Sequence, residues 1–233
     1  MIWKCLAICA AATVCGPRLV AQAPVPIDRE PRHRLVWQDG PIRVFDVQIP
    51  PGDTTLYHIH DVAILYVPVS ISPTDAQILG GKWAGVGPQG SSRFRLDATE
   101  LDTLYATQPV THRVANVGTG PFRLIAVTNG RVPSTPNRAL RDSSPGTLER
   151  SSSWFRQTRL ILEPGTSSAW YTSRLTVVLV QPAEGYASID RALTATPNAL
   201  DGPGSWVYLP AGTRFRLRNE GANSITVVIV QVR

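Results

Sequence analysis

Three features of this 233-residue chain predict an all-β protein built as two barrels in tandem. Short runs rich in Val, Ile, Thr and aromatic residues recur between Gly, Pro, Asn and Asp, the pattern of strands joined by tight turns. No stretch sustains a helical period. The landmarks of the first half then return in the second, as an internal duplication requires.

Taken in order, the first segment stands outside the fold. "MIWKCLAICAAATVCGPRLVAQA" has Lys4, an apolar run from Cys5 to Cys15 and the small-x-small ending Ala21-Gln22-Ala23, the layout of a secretory signal peptide over residues 1–23. The apolar run is shorter than the ~20 residues a membrane span needs. The expectation is therefore export, secreted or periplasmic, with lipid attachment at Cys9 or Cys15 the lesser option because the residues before them fit that pattern poorly. All three cysteines lie in this segment, so the processed chain would have no disulfide and no thiolate ligand, and any metal would be held by nitrogen and oxygen.

The first barrel is expected over residues 24–132. It begins with "RVFDVQI", turns at "PPG", and continues into "HDVAILYVPV"; "HRVANV" and "FRLIAVT" close it. "DATELDTLYAT" has the residues for one helical turn, and "ILGGKWAGVGPQGSS" reads as an inserted loop. The polar, Pro-containing stretch from Arg131 to Ser152 is the natural linker, centred on 133–150. The second barrel, 151–233, follows with "TRLILE", "LTVVLVQ", "SWVYLPA" and "SITVVIVQV". Setting Gly52 on Gly165 places His58 against Tyr171 and His60 against Ser173. Setting Asn116 on Asn219 places Gly118 on Gly221 and His112 on Phe215.

Composition narrows the function. Charged residues make up 17% of the chain and apolar ones 43%, with 18 Gly and 20 Pro, which suits a compact, turn-rich β protein. Without residues 1–23 the 23 basic residues become 21 against 17 acids, so the net charge drops from +6 to +4. These are nearly all scattered arginines and form no basic stripe interleaved with aromatics, so no nucleic-acid partner is expected.

The motifs resemble those of the cupins, specifically the two-domain bicupins. Gly52, His58 and His60 fit the first cupin motif, a Gly followed at fixed spacing by His-x-His. His112 with Asn116 fits the second, and Pro210, Gly212 and Asn219 repeat it in the other half. The resemblance implies cupin-type barrels, each a double-stranded β-helix or jelly roll. There are departures: the first motif's Glu falls on Ile64 or Leu65, the Pro and Gly before His112 are Thr107 and Pro109, and Phe215 stands where a second-half His would be.

Strand geometry supports the first site. Alternate side chains share a face, so His58 and His60 project together while Ile59 and Asp61 point away. His112, from a later strand, is the expected third metal ligand. Imidazole suits a divalent transition metal; the resemblance to three-His cupin dioxygenases implies Fe(II) first, with Mn, Ni, Cu or Zn as alternatives, and three protein ligands leave coordination positions open. Without the Glu, three neutral imidazoles leave the full charge of the ion, which favours an anionic ligand. His33 lies outside every motif and reads as surface; Tyr57 and Tyr66 read as packing residues. In the second half Tyr171, Ser173 and Phe215 cannot form a three-ligand site, so that barrel is expected to be structural.

The functional expectation is a metal-dependent oxidoreductase, resembling cupin dioxygenases, acting on a small organic substrate. A binding module without turnover and a structural protein with relic sites are the alternatives. The expected partner is a small molecule, with self-association as a homodimer left open.

Overall fold

The computed structural model describes residues 22–86, 93–132, 144–192 and 194–233. Most of the expected signal segment, part of the inserted loop and residues 133–143 of the expected linker lie outside them. No helix among the described residues is long and apolar enough to cross a membrane.

Two pairs of sheets make the two barrels. In the first, a four-stranded sheet runs β1 (Val25–Pro26), β4 (His58–His60), β8 (Val110–Asn116), β6 (Thr74–Ile78). A five-stranded sheet runs β2 (His33–Asp39), β3 (Ile42–Ile49), β9 (Phe122–Asn129), β5 (Ala63–Ser70), β7 (Glu100–Asp102). In the second, the four-stranded sheet is β12 (Tyr171–Thr172), β17 (Arg214–Asn219), β14 (Ala187–Arg191), β15 (Thr194–Leu200). Its five-stranded partner is β10 (Thr147–Ser151), β11 (Phe155–Leu162), β18 (Ile225–Val232), β13 (Thr176–Val180), β16 (Trp206–Leu209). The five-stranded orders correspond strand for strand, and the four-stranded sheets differ by one edge strand each.

The duplication extends to single hydrogen bonds. Asn116 donates its amide to the carbonyls of Ile49 and Gly120 and accepts from the Gly118 N–H. Asn219 does the same with Leu162, Asn223 and Gly221. In each half the turn Gly lies in the left-handed region, Gly52 at φ 75° and Gly165 at φ 70°, which a side chain would strain. Each donates its N–H to the carbonyl of the corresponding Asn.

The inner strands β5, β9, β13 and β18 of the large sheets read as apolar runs because both of their faces are buried. Phe45, Val47, Ile64, Tyr66, Phe122 and Leu124 point into the first barrel. Their neighbours Ile42, Val44, Leu65, Ile125 and Val127 point outward and pack against Phe155, Val178, Val180, Val228 and Val230 of the second half. The two five-stranded sheets thus enclose a third core between the barrels, while Leu179, Phe215, Leu217 and Ile229 fill the second barrel. Full burial of each such side chain favours the fold by ~1.5–3 kcal/mol. Polar ties run across the same join: the Tyr208 hydroxyl donates to Asp39 at 2.6 Å, and the Asn129 amide donates to the Arg233 carbonyl at 2.8 Å.

Two local expectations change. "DATELDTLYAT" forms the edge strand β7 and a single 3-10 turn at Leu104–Ala106, because β7 pairs with β5 where a helix would leave that edge open. Thr147–Ser151, read as the end of the linker, is a strand, β10, paired antiparallel with β11.

Candidate metal centre

The short strand β4 sets the site. His58 and His60 are buried on the inner face of the four-stranded sheet, and Asp61 is exposed. β8 pairs antiparallel with β4 so that His112 stands directly opposite His58. The equivalent register in the second half sets Tyr171 opposite Phe215, matching the positions aligned by sequence. The His58 and His112 rings are 4.8 Å apart, and His60 and His112 4.9 Å.

His33 is a correction. It is buried, not on the surface, because the 3-10 turn Ile27–Arg29 leads the chain from β1, beside β4, into the first residue of β2 on the opposite sheet. Its ring lies 4.4 Å from His58 and 5.9 Å from His60. Ring nitrogens of His33, His58 and His60 all lie within 4.8 Å of one another. All four histidines of the sequence therefore meet at one place, three from one sheet and one from the other.

The donor atoms suit a metal. His58 donates Nδ1–H to the Leu56 carbonyl at 2.9 Å, which leaves its Nε2 bare, and that Nε2 is 3.1 Å from Nε2 of His60. Two nitrogens each ~2.1 Å from one ion, at right to tetrahedral angles, stand roughly 3.0 to 3.4 Å apart. Burial first, then the charges of neighbouring histidines, pushes His58 down to about 2. Burial followed by the His33 and Arg93 charges pushes His112 to about 4, and burial with its three His neighbours holds His60 well below its ordinary value. These rings are neutral at physiological pH, the form that binds metal.

At the motif's Glu positions, Ile64 packs inside the barrel and Leu65 outside it. A buried carboxylate, Glu30, 2% exposed, touches this cluster. It accepts from His33 Nδ1 at 2.7 Å, from the Arg32 N–H at 2.8 Å and from the Leu56 N–H at 3.1 Å. Burial alone would raise its carboxyl, but the His33 hydrogen bond and charge and the two backbone donors outweigh it and hold the group below the ordinary carboxylate range.

The histidines border a pocket of about 330 Å³ whose walls include Val47, Ile49, Phe94, Phe122 and Leu124. Among the described residues Arg93 is the one Arg or Lys lining it. The guanidinium lies 5.6 Å from the Tyr66 ring and 5.1 Å from that of Phe94, and 3.4 Å from Asp102. Tyr105 stacks on His60 at 4.9 Å. Burial, against the pull of Arg93, keeps the hydroxyls of Tyr66 and Tyr105 protonated. Tyr66 thus borders the pocket as well as packing in the core. Tyr57 faces away, donating to Gln77 at 2.8 Å. Arg93, Phe94 and Tyr105 escaped the sequence reading because they sit at the end of the inserted loop and in the turn after it, where no motif extends.

In the second half the equivalent place is closed. Phe215 has no exposed surface, its ring stands 5.6 Å from that of Tyr171, and Gln231 donates to the Tyr171 and Ser173 hydroxyls.

No protein-family model matches the chain, and no curated protein matches its sequence. Solved structures do resemble it. Salicylate 1,2-dioxygenase from Pseudaminobacter salicylatoxidans aligns over 86% of this chain and 76% of its own, at 12% identity and a TM-score of 0.57. AerE from Microcystis aeruginosa aligns over 84% and 90%, at 14% identity and a TM-score of 0.56. A cupin 2 conserved barrel domain protein from Leptotrichia buccalis aligns over 85% and 87%, at 8% identity and a TM-score of 0.50. The fold is the cupin fold in its two-barrel form.

Proposed function

We propose that this chain is an exported, metal-dependent oxidoreductase, dioxygenase-like, acting on a small anionic organic molecule. The observation that carries the reading is the convergence of all four histidines on the edge of one apolar-walled pocket. His58, His60 and His112, with His33 beside them, would hold one divalent transition metal, with Fe(II) first and Mn, Ni, Cu or Zn as alternatives. Such an ion brings Lewis acidity and, if redox-active, one-electron chemistry.

The chain's own residues do the rest. Ile49, Phe94, Phe122 and Leu124 exclude water and embrace an apolar body. Arg93 places a positive charge on the same pocket, which favours an anionic group, while Tyr66 and Tyr105 present protonated hydroxyls able to donate to it. A cupin neighbour whose name states dioxygenase activity, and whose structures include gentisate complexes, supports the reaction class.

Metal analysis of the tag-free protein, followed by oxygen uptake with a panel of small carboxylates and His58→Ala as control, tests the reading. One metal per chain and His58-dependent uptake is the expected result. Metal and ligand binding without uptake would leave a binding module, and no metal would overturn both.

A further inference from the structure

We propose that Glu30 is the carboxylate of this metal centre, acting from outside the ring of histidines as a positioning residue for two of them. The inference rests on the metal reading above and goes beyond it by assigning a residue that no motif covers.

Both oxygens of Glu30 are committed. Oε2 accepts from His33 Nδ1 and from the Arg32 N–H, and Oε1 accepts from the Leu56 N–H, 26 residues along the chain. The carbonyl of that same Leu56 accepts from His58 Nδ1. One carboxylate therefore fixes His33 directly and His58 through a single peptide unit. A carboxylate and a carbonyl can only accept, so both rings keep a proton on Nδ1, and whenever such a ring is neutral its Nε2 is bare for a metal. The inner-facing motif position that would carry a ligating Glu is Ile64, packed among apolar side chains. Glu30 brings the negative charge back, one imidazole removed from the ion.

Charge pairing points the same way. Among the described residues the one ion-pair partner of the Glu30 carboxylate is His33. A carboxylate this deeply buried needs a counter-charge, which a protonated His33, or a divalent ion in place of the proton on that ring's far nitrogen, supplies.

The test uses Zn(II) and Cu(II) with the full chain, affinities being read by chelator competition and the number of nitrogen ligands from the Cu(II) electron paramagnetic resonance spectrum. Glu30→Gln keeps an oxygen for the Leu56 N–H but loses the charge on His33. The expected result is metal affinity lowered by about 10- to 100-fold, with a Cu(II) spectrum like that of His33→Ala. Because Gln keeps the Leu56 contact and with it the support of His58, the loss in Glu30→Gln runs through His33, so Glu30→Gln combined with His33→Ala should bind no more weakly than His33→Ala alone. Wild-type affinity and spectrum in Glu30→Gln, or losses that add in the double variant, overturn the inference while the metal site stands. Absence of metal from the wild-type protein overturns the site itself. If Glu30→Gln does not fold, His33→Ala decides: its Cu(II) signal must lose one nitrogen, and an unchanged signal refutes the role of the pair.

Discussion

Phe215→Ala tests the asymmetry between the barrels. Phe215 occupies the register position of His112, is fully buried, meets the Tyr171 ring nearly edge-on at 86°, and packs in the core that holds Leu179, Ile189 and Leu217. Truncating a ring in such a place costs ~3–5 kcal/mol, the transfer term plus the cavity left behind. The Tyr171 contact accounts for ~0.5–1.5 kcal/mol beyond area alone. At ~2–4 °C per kcal/mol for a chain of this size, the melting temperature should fall by roughly 6 to 20 °C. Urea unfolding with an unchanged slope would read the same loss as a lower midpoint. Metal content should not move, because Tyr171, Ser173 and Phe215 cannot supply three metal ligands. A loss under ~1 kcal/mol would mean that the ring does not seal this barrel, against the range expected for a buried Phe. Altered metal stoichiometry would mean that the second half takes part in the site.

Other outcomes follow from the same geometry. His58→Ala, His60→Ala and His112→Ala should each weaken metal binding strongly, read by dialysis and elemental analysis, and metal kept after loss of both His58 and His60 would refute the site. Acid should destabilise the metal-free protein: His58 and His112 are pushed down to about 2 and about 4 in the fold, against ~6.5 unfolded. Their contribution is complete above ~6.5 and is lost as pH falls toward the folded values, at up to ~1.4 kcal/mol per pH unit for each ring, so urea midpoints should drop between pH 6.5 and 4. A midpoint flat across that window would contradict burial of neutral rings. For export, the intact mass of the processed protein should correspond to a start at Ala23 or Pro24 with no thiol, and a retained Cys15 carrying lipid would refute it.

The sequence made the strands of the large sheets easy to find and the edge strands hard. Runs such as "LTVVLVQ" and "SITVVIVQV" are apolar on both faces because each sheet packs inward on its own barrel and outward on the other. β2, β6 and β10 are edge strands, carry polar residues, and have only part of their surface buried, so their alternation is too weak to register. The core between the barrels was illegible for a related reason. Apolar runs report that two faces are buried but not what buries the second.

That three histidines come together was readable because they lie on two strands that pair directly, with spacing set by strand geometry: His58 and His60 two apart on one, His112 opposite His58. His33 obeys no such rule. It comes from the facing sheet, and its place is set by the turn at Ile27–Arg29 and by the register of β2 on β3. Nothing within seven residues of it resembles a ligand motif. A signal was nevertheless present three residues upstream, where Glu30 precedes His33 on a short turn that brings the carboxylate to the ring. A carboxylate and a His at that spacing are common on surfaces. What separates this pair is the 26-residue reach of Glu30 to Leu56, a contact that exists only once β1 lies beside β4. The fourth histidine is thus a product of tertiary structure, placed by the strand that also orients His58.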